Sequence, residues 1–245
     1  MTNFVIEIAG VVVAIAAMYE STRTYCENYI TEKKSMFSLK ITQEDLAYER
    51  EKYTWEDRIE GKPIRSVDAS ALELTAVQRK LTEQLFDRDI LLFHGSVVAV
   101  DGQAYLFTAK SGTGKSTHTR LWRKLLGNRA VMVNDDKPFL LLREDGVLAC
   151  GSPWNGKHGL GENVQAPLKA VCILERGSQN QIREISPKEA LFMLLQQSNR
   201  PMNPEKLPKY LELIDRLSAG VRFYRMQCTV EPEAASVAYQ TMKEK

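Results

Sequence analysis

Hydrophobic and polar positions alternate with two different periods along the chain, and each change of period marks the boundary of a predicted element. Near the N-terminus, residues 4–8 and 11–16 are apolar and are separated by Ala9-Gly10, a pair typical of a tight turn. The combined apolar stretch is too short to span a bilayer and contains Glu7. No basic segment precedes it, as one would in a secretory signal. The pattern therefore predicts a β-hairpin.

Two helices are predicted downstream of this hairpin from their N-terminal signals. Thr42, with Asp45 three residues later, is typical of a capping box and predicts the start of a short helix. Ser70 and Glu73 have the same spacing and predict a second helix over residues 70–89. Four of its apolar residues recur at helical spacing and are expected to face the core: Leu74, Val77, Leu81 and Leu85.

The middle of the chain is predicted to consist mainly of strands. Asp101-Gly102 is a strong two-residue turn signal, and it predicts that Ser96–Val100 pairs with Gln103–Thr108. A second Asp-Gly pair, at 145–146, predicts another hairpin. Further apolar runs predict strands at 130–133 and 170–174.

The last third of the chain is predicted to be mainly helical. Ser186, Pro187 and Glu189 have the residue types and spacing of a helix N-terminus, and further helices follow, with a strand between them. The predicted fold class is α/β with a mixed sheet. Residues 1–85 are expected to form an N-terminal α+β subdomain, and residues 86–245 a nucleotide-binding domain with helices at its C-terminal end.

A phosphate-binding pattern follows the predicted central hairpin. The pattern is G-x-x-x-x-G-K-[ST], and here it runs from Ala109 to Ser116 with alanine in place of the first glycine. A strand precedes it and a helix ending near Gly127 follows, which is the context that such a loop requires. Lys115 would bridge the β- and γ-phosphates, and the Ser116 hydroxyl would bind Mg²⁺. The predicted ATP-binding residues are Ser111, Gly112, Thr113, Gly114, Lys115, Ser116 and Thr117.

A pair of acids follows the strand predicted at 130–133. Asp135 and Asp136 end this apolar run, and strands of this kind end at the edge of the sheet where phosphate loops lie. One carboxylate suffices to help hold Mg²⁺, which leaves the second to accept a proton from an attacking hydroxyl. A phosphate loop, a magnesium ligand and a proton acceptor together are typical of a kinase.

His94 is expected near the same place. Counting outward from the Asp-Gly turn puts His94 opposite Ala109, at the mouth of the phosphate loop. There its imidazole could pair with one carboxylate of the acid pair, or it could be a hydrogen-bonded structural histidine. The sequence alone leaves these two alternatives open.

Composition limits the possible partners. The formal net charge of +2 is too small to indicate a nucleic-acid groove or an anionic membrane surface. The four cysteines form no CxxC pair, so buried free thiols in a reducing compartment are expected, and with them a cytoplasmic protein. The expected partners are a nucleotide and an acceptor, with homo-oligomer formation left open.

Taken together, the His-Gly pair before the hairpin, the loop "SGTGKST" and the strand ending in "NDD" resemble the catalytic domain of HPr kinase/phosphorylase and its relatives. That group shares a phosphate-loop fold with phosphoenolpyruvate carboxykinase, and the similarity covers residues 91–175. The resemblance implies an active-site histidine at His94, a proton acceptor at Asp136 and a magnesium ligand at Ser116. It also implies that Asp135 assists at the metal or orients His94.

The sequence departs from this family in ways that affect the expected substrate. The family has a glutamate metal ligand before its Gly-Leu-Gly segment, whereas here "PWNGKHGLG" contains no acid and Glu162 follows it. Residues 1–85 do not match the family's regulatory domain. The resemblance therefore implies a serine hydroxyl as acceptor, in free serine, a peptide or a protein, without naming HPr.

Two further segments are candidates for contact with the acceptor. In the polar, glycine-rich loop at 152–163, Lys157 or His158 is expected to reach phosphate or the acceptor. The alternative is an exposed glycine-rich loop that only Trp154 anchors in the core. Three residues at the end of a predicted helix and just after it could cap the acceptor pocket, or could simply be solvated: Gln196, Gln197 and Arg200.

Two other classes of function fit parts of the pattern. A non-catalytic ATP sensor would need the phosphate loop but no proton acceptor. A carboxykinase-like carbon enzyme would need a constellation of histidine and lysine around a divalent metal, and only three histidines are present: His94, His118 and His158.

Overall fold

In a computed structural model that describes residues 1–244, the chain forms two compact units, Met1–Asp87 and Arg88–Lys245. The first unit has a three-stranded sheet in the order β1 (Thr2–Ile8), β2 (Val11–Ala17) and β3 (Phe37–Lys40). β1 and β2 are antiparallel, and β3 is parallel to β2. The predicted N-terminal hairpin is confirmed, with Ala9 and Gly10 at positive φ in its turn.

Three α-helices complete the first unit: α1 (Glu20–Tyr25), α2 (Gln43–Ile59) and α3 (Ala69–Phe86), with a 3-10 turn at Glu27–Tyr29. The capping box of Thr42 and Asp45 is present. The helix it opens has 17 residues, so the prediction of a short helix is wrong.

The predicted capping box at Ser70 and Glu73 is also wrong, because α3 begins before Ser70. The fully buried Glu73 carboxylate instead accepts hydrogen bonds from the backbone N–H groups of Met18 (2.6 Å) and Tyr19 (3.1 Å) and from the Thr22 hydroxyl. These groups lie at the start of α1. Glu73 therefore satisfies free backbone donors of another helix, a long-range role that its local spacing does not reveal.

The buried face of α3 differs slightly from the predicted one. Val77, Leu81 and Leu85 are fully buried as expected. Leu74 is only half-buried, and Leu72 is fully buried instead. A small rotation of the apolar stripe around the helix accounts for the difference.

The second unit is an α/β structure with a mixed sheet, as the sequence predicts, and this sheet has nine strands. Its strands are β4 (Ile90–Leu92), β5 (Ser96–Val100), β6 (Gln103–Thr108), β7 (Ala130–Asn134), β8 (Phe139–Arg143), β9 (Gly146–Cys150), β10 (Gln165–Arg176), β11 (Gln181–Ile185) and β12 (Arg222–Cys228). The main path runs β4-β8-β9-β10-β6-β5-β7, and β12 pairs with β10 and β11.

Both predicted hairpins of the central region form. β5 and β6 are joined at Asp101-Gly102, both at positive φ, in the predicted register with Val100 opposite Gln103. In the second hairpin Arg143 pairs with Gly146, so the turn lies one residue earlier than predicted.

The direction of the strands brings several chain segments to one edge of this sheet. β6, β10 and β12 are mutually parallel, and β5 is antiparallel to both β6 and β7. The C-terminal ends of β6, β7, β10 and β12 therefore lie on the same side, together with the start of β5. In α/β folds this is the edge where ligands bind.

Four α-helices pack on the sheet: α4 (Lys115–Leu126), α5 (Pro187–Gln197), α6 (Leu207–Gly220) and α7 (Glu233–Lys243), with 3-10 turns at Gly127–Arg129, Gly156–His158 and Pro204–Lys206. Trp122 of α4 is fully buried in a cluster with α7 and the central strands. The predicted helix start at Ser186 and Pro187 is confirmed, and Ser186 forms a capping box with Glu189. These contacts fix α4, and with it the loop that precedes it.

The cysteines are free thiols, as predicted. Cys26, Cys150 and Cys172 are buried, and Cys228 is partly buried. Among residues 1–244, no helix combines the length and the apolar character that crossing a bilayer demands.

Candidate active site

The phosphate loop connects the end of β6 to the first residue of α4. Gly112 and Gly114 have φ values of 76° and 117°, in a region that favours glycine because it has no Cβ. The Thr113 backbone N–H and hydroxyl both donate to the Lys110 carbonyl, at 3.2 and 2.8 Å. Ala109 is fully buried and is not among the described residues with positive φ, so alanine is tolerated at this position.

Lys115 is the first residue of α4 and is largely buried, with 9% of its surface exposed. Its Nζ donates to the Ala109 carbonyl at 3.5 Å. Burial lowers the pKa of Lys115, and the charges of Asp136 and Asp135 act in the opposite direction. The lysine therefore lies close enough to both acids to interact with their charge.

His94 and Asp136 form a pair at the mouth of the loop. His94 Nε2 lies 3.3 Å from Asp136 Oδ1. Burial disfavours the ionised form of Asp136, but the hydrogen bond from His94 and the charges of Lys137 and Lys115 outweigh it and lower the pKa of this carboxyl. Of the two alternatives for His94, pairing with a carboxylate is the arrangement present.

The backbone, rather than strand pairing, holds His94 in place. The β5–β6 ladder ends at Ser96 opposite Phe107, so the expected pairing of His94 with Ala109 does not form. The His94 N–H donates to the Gln197 carbonyl at 2.7 Å, and the His94 carbonyl accepts from the Thr108 hydroxyl at 3.1 Å. The hairpin brings the histidine to the loop, and the end of α5 fixes it there.

Asp135 is held by a hydroxyl network that the sequence analysis missed. Ser96 Oγ donates to Asp135 Oδ1 at 2.6 Å and lies 2.8 Å from Thr119 Oγ1 of α4. All three residues are buried. Burial raises the pKa of Asp135, against the hydrogen bonds from Ser96 and Ser116. Ser96 carried no local signal, because its partners are 23 and 39 residues away in sequence.

Asn134 is a second functional residue that sequence reasoning missed. It is fully buried, and its amide donates to the carbonyl and hydroxyl of Ser152, both at 3.0 Å, and to Asn155 Oδ1 at 2.7 Å. Its own Oδ1 accepts from the backbone N–H groups of Asp136 (2.8 Å) and Lys137 (2.6 Å). The Asn134 side chain thus stabilises the turn that contains the acid pair and holds the loop 152–163 against this turn by hydrogen bonds.

Close packing brings this loop against the acids. A Cβ on Gly156 would lie 3.1 Å from the Asp136 Cβ, and one on Gly161 would lie 2.3 Å from Asn155 Oδ1. Space therefore requires glycine at 161, and at 156 the close approach and a φ of 68° both favour glycine. Trp154 is buried, as expected of an anchor, and its carbonyl accepts from the Lys137 N–H.

The predicted residues surround one cavity of about 570 Å³. This volume is typical of a small-molecule site. The cavity is lined by His94, Ser111, Gly112, Gly114, Lys115, Ser116, Thr117, Asp135, Asp136, Gly156, Lys157 and His158. Of the predicted ATP-binding residues, Thr113 lies outside this cavity and faces a neighbouring one.

The remaining candidates lie elsewhere or act through the backbone. Gln196 and Arg200 line a different cavity, which includes the exposed Phe192. Gln197 contributes its carbonyl to His94. Glu162 does not line the cavity of about 570 Å³, and its backbone N–H pairs with Met132.

The residues present fit a magnesium ion that is held mainly by phosphate. Within residues 1–244, no cluster of three or more acids, histidines or cysteines forms an all-protein metal site. Mg²⁺ is commonly bound by one or two protein oxygen ligands together with substrate phosphates. The buried Asp135 carboxylate and the Ser116 hydroxyl line the same cavity beside the loop and supply this donor set.

Comparison with known proteins gives little further guidance. No protein-family model matches the sequence, and no curated protein matches it. Among solved structures, the Hpr(Ser) kinase/phosphatase from Coxiella burnetii is similar to part of the chain, with 15% identity and a TM-score of 0.30. The match covers 51% of this chain and 88% of that one. A similarity at this level carries no argument about activity.

Proposed function

We propose that the protein is an ATP-dependent kinase that transfers the γ-phosphate of ATP to a hydroxyl, a serine in a peptide, a protein or the free amino acid. The observation that carries this proposal is the paired His94 and Asp136 beside Lys115 and the phosphate loop. A structural phosphate site needs the loop and the lysine. It has no need of a second, ionised carboxylate paired with an imidazole in the same cavity.

The proposed roles follow from the position and charge of each group. The loop N–H groups and Lys115 bind and orient the triphosphate. Mg²⁺, held by Ser116 and Asp135, would neutralise charge on the β- and γ-phosphates. The low pKa of Asp136 keeps its carboxylate ionised and able to accept the proton of the acceptor hydroxyl. As that proton moves to Asp136, the hydroxyl oxygen attacks the γ-phosphorus and ADP leaves.

His94 and the loop 152–163 complete the proposed site. His94 contacts the base, Asp136, and orients the carboxylate that takes the proton. Lys157 and His158 line the same cavity, where the Lys157 ammonium adds a second positive charge to that of Lys115. Positioning and charge stabilisation of this kind account for most of the catalysis in phosphoryl transfer.

Transfer of labelled phosphate tests this function. The protein is incubated with γ-labelled ATP, Mg²⁺ and, separately, free serine, serine-containing peptides and HPr. We expect label in one of these acceptors, and its loss in Lys115→Ala. Lys124→Ala is the matched control, because it removes an exposed lysine at the far end of the same helix.

Two results would contradict the proposal. One is equal transfer by Lys115→Ala and Lys124→Ala. The other is tight ATP binding by the wild-type protein with no labelled acceptor in any of the three classes, which would favour the ATP sensor instead.

A further inference from the structure

One face of α2 (Gln43–Ile59) exposes large apolar side chains. Trp55 is 63% exposed, Ile59 66% and Tyr48 42%. Successive members of this set are seven and four residues apart, so they form one stripe along the helix, opposite the buried Leu46. Exposed tryptophan and tyrosine in such a stripe are typical of a protein interface.

Charges of opposite sign lie along one edge of this stripe. Glu51 is four residues before Trp55 and Arg58 is three residues after it, so both lie on the same edge, one turn before and one turn after the tryptophan. Both residues are exposed, and within residues 1–244 neither has an ion-pair partner. The stripe therefore presents two charges that are available to a partner.

A second copy of α2 is complementary to this face. When two α2 helices pack antiparallel with the two-fold axis beside Trp55, the same edge of each helix faces that of the other. Glu51 of one copy then lies level with Arg58 of the partner subunit, and the symmetry repeats this ion pair. The two Trp55 side chains meet at the axis. In a parallel pair, opposite edges would face each other and this pairing would be lost.

We propose that the protein forms a homodimer through this face of α2, with the two helices antiparallel. The inference is independent of the proposed function, because it uses only residues of the first unit. One helix face from each copy is smaller than a standard interface of about 1,600 Å², so a dissociation constant in the micromolar range is expected. Well below that concentration the chain is monomeric and the ion pairs between copies are absent.

Sedimentation analysis of the full chain over a range of concentrations tests this assignment. We expect a monomer at nanomolar concentration and a dimer at high micromolar concentration. Arg58→Glu replaces both symmetric ion pairs by like charges and is expected to weaken the dimer by about tenfold or more. Lys52→Glu is the matched control, because it makes the same change of charge on the other edge of the stripe, and it should dimerise as the wild type does.

An exchange of the two charges tests the pairing itself. Glu51→Arg alone is expected to weaken the dimer as Arg58→Glu does. The double variant of Glu51→Arg and Arg58→Glu restores opposite charges and should recover wild-type dimerisation. Both positions are exposed, so the variants are expected to fold, and their thermal midpoints at low concentration check this.

Trp55 gives an independent readout in the wild-type protein. Trp122 and Trp154 are buried, so a change in tryptophan emission on dimerisation reports the environment of Trp55. We expect the emission to shift to shorter wavelength as the concentration rises, because Trp55 leaves water. Trp55→Ser should remove both the shift and the dimer.

Two kinds of result would overturn the assignment. A chain that stays monomeric at every concentration would show that this face does not bind a second copy. A dimer that Arg58→Glu leaves intact, that Lys52→Glu weakens equally, or that the double variant fails to restore would place the interface elsewhere.

Discussion

The buried contact between Ser96 and Asp135 allows a sharp test of how the acid pair is held. Ser96 Oγ has one hydrogen, and at 2.6 Å it is donated to Asp135 Oδ1, because a carboxylate can only accept. Thr119 is then the donor in its 2.8 Å contact with Ser96, which is shorter than the 3.3 Å contacts of the same hydroxyl with the Lys115 and Ser116 carbonyls. Ser96→Ala removes both hydrogen bonds and leaves Asp135 with one neutral donor fewer in a buried position.

The size of the effect follows from these contacts. A hydrogen bond to a charged group contributes about 1.5–3 kcal/mol to the free energy of unfolding. Because Asp135 and Ser96 are both buried, solvent weakens their interaction only slightly. We therefore expect Ser96→Ala to lower the free energy of unfolding by about 1.5–3 kcal/mol. Ser218→Ala is the matched control, because Ser218 Oγ is buried and has no hydrogen-bond partner within residues 1–244.

A purely structural role would change stability and leave the pH profile of activity alone. Burial already raises the pKa of Asp135, and Ser96 acts against this rise. Without Ser96 the pKa rises further, so the carboxyl becomes protonated at a higher pH and the acidic limb of the kinase pH profile moves upward. The apparent Mg²⁺ requirement should increase as well. Ser96→Thr, which keeps a hydroxyl, is expected to restore both.

The assays are urea unfolding and initial rates of phosphate transfer across pH for the wild type and the three variants. The reasoning is refuted if Ser96→Ala loses no more stability than Ser218→Ala. It is also refuted if the acidic limb of Ser96→Ala coincides with that of the wild type.

Three further predictions concern other parts of the chain. Gly161→Ala should lower both stability and transfer rate, because its Cβ would lie 2.3 Å from Asn155 Oδ1 and 3.1 Å from the Val133 carbonyl; unchanged thermal melting would contradict this. Glu73→Ala should lower the free energy of unfolding by about 2 kcal/mol or more, since three donors at the start of α1 lose their acceptor; urea unfolding measures the loss, and a loss no larger than that of the exposed Glu51→Ala would count against it. A hydrogen bond from Arg183 is the main cause that lowers the pKa of Glu189 from 4.5 to about 2. The ionised carboxylate therefore stabilises the protein above pH 4.5, and this effect is lost as the pH falls towards 2. Melting curves of Glu189→Gln and the wild type should differ at pH 7 and converge in acid.

The parts of the structure that follow from short-range chemistry could be predicted from the sequence. The turn at Asp101-Gly102 needs positive φ at two successive residues, and few pairs other than this one provide it, so the hairpin and its register followed directly. The same holds for the loop ending in Lys115 and for the capping box at Ser186. In each case the signal and the structure that it specifies lie within a few residues.

The parts that depend on long-range contacts could not be predicted in this way. Glu73 has the spacing of a capping residue but binds the start of a helix about 50 residues earlier. The sequence around Ser96 predicts only a strand. Its hydrogen bonds depend on the side chains that follow β7 and lie in α4. Asn134 likewise acts through a loop that folds back on it. Short elements such as α1, β4 and β11 were missed, because a few residues contain too little periodicity to indicate them.

The central claim is that Asp136, paired with His94, accepts a proton during phosphate transfer rather than helping to bind the nucleotide. Its most direct test measures ATP binding and labelled-phosphate transfer on the same preparation of Asp136→Asn. This substitution keeps the shape of the side chain and removes its basicity, and Asp145→Asn, at the exposed turn of the second hairpin, is the control. We expect Asp136→Asn to bind ATP as the wild type does and to transfer phosphate at least about 100-fold more slowly, the range for loss of a general base. Transfer at the wild-type rate by Asp136→Asn would contradict the account.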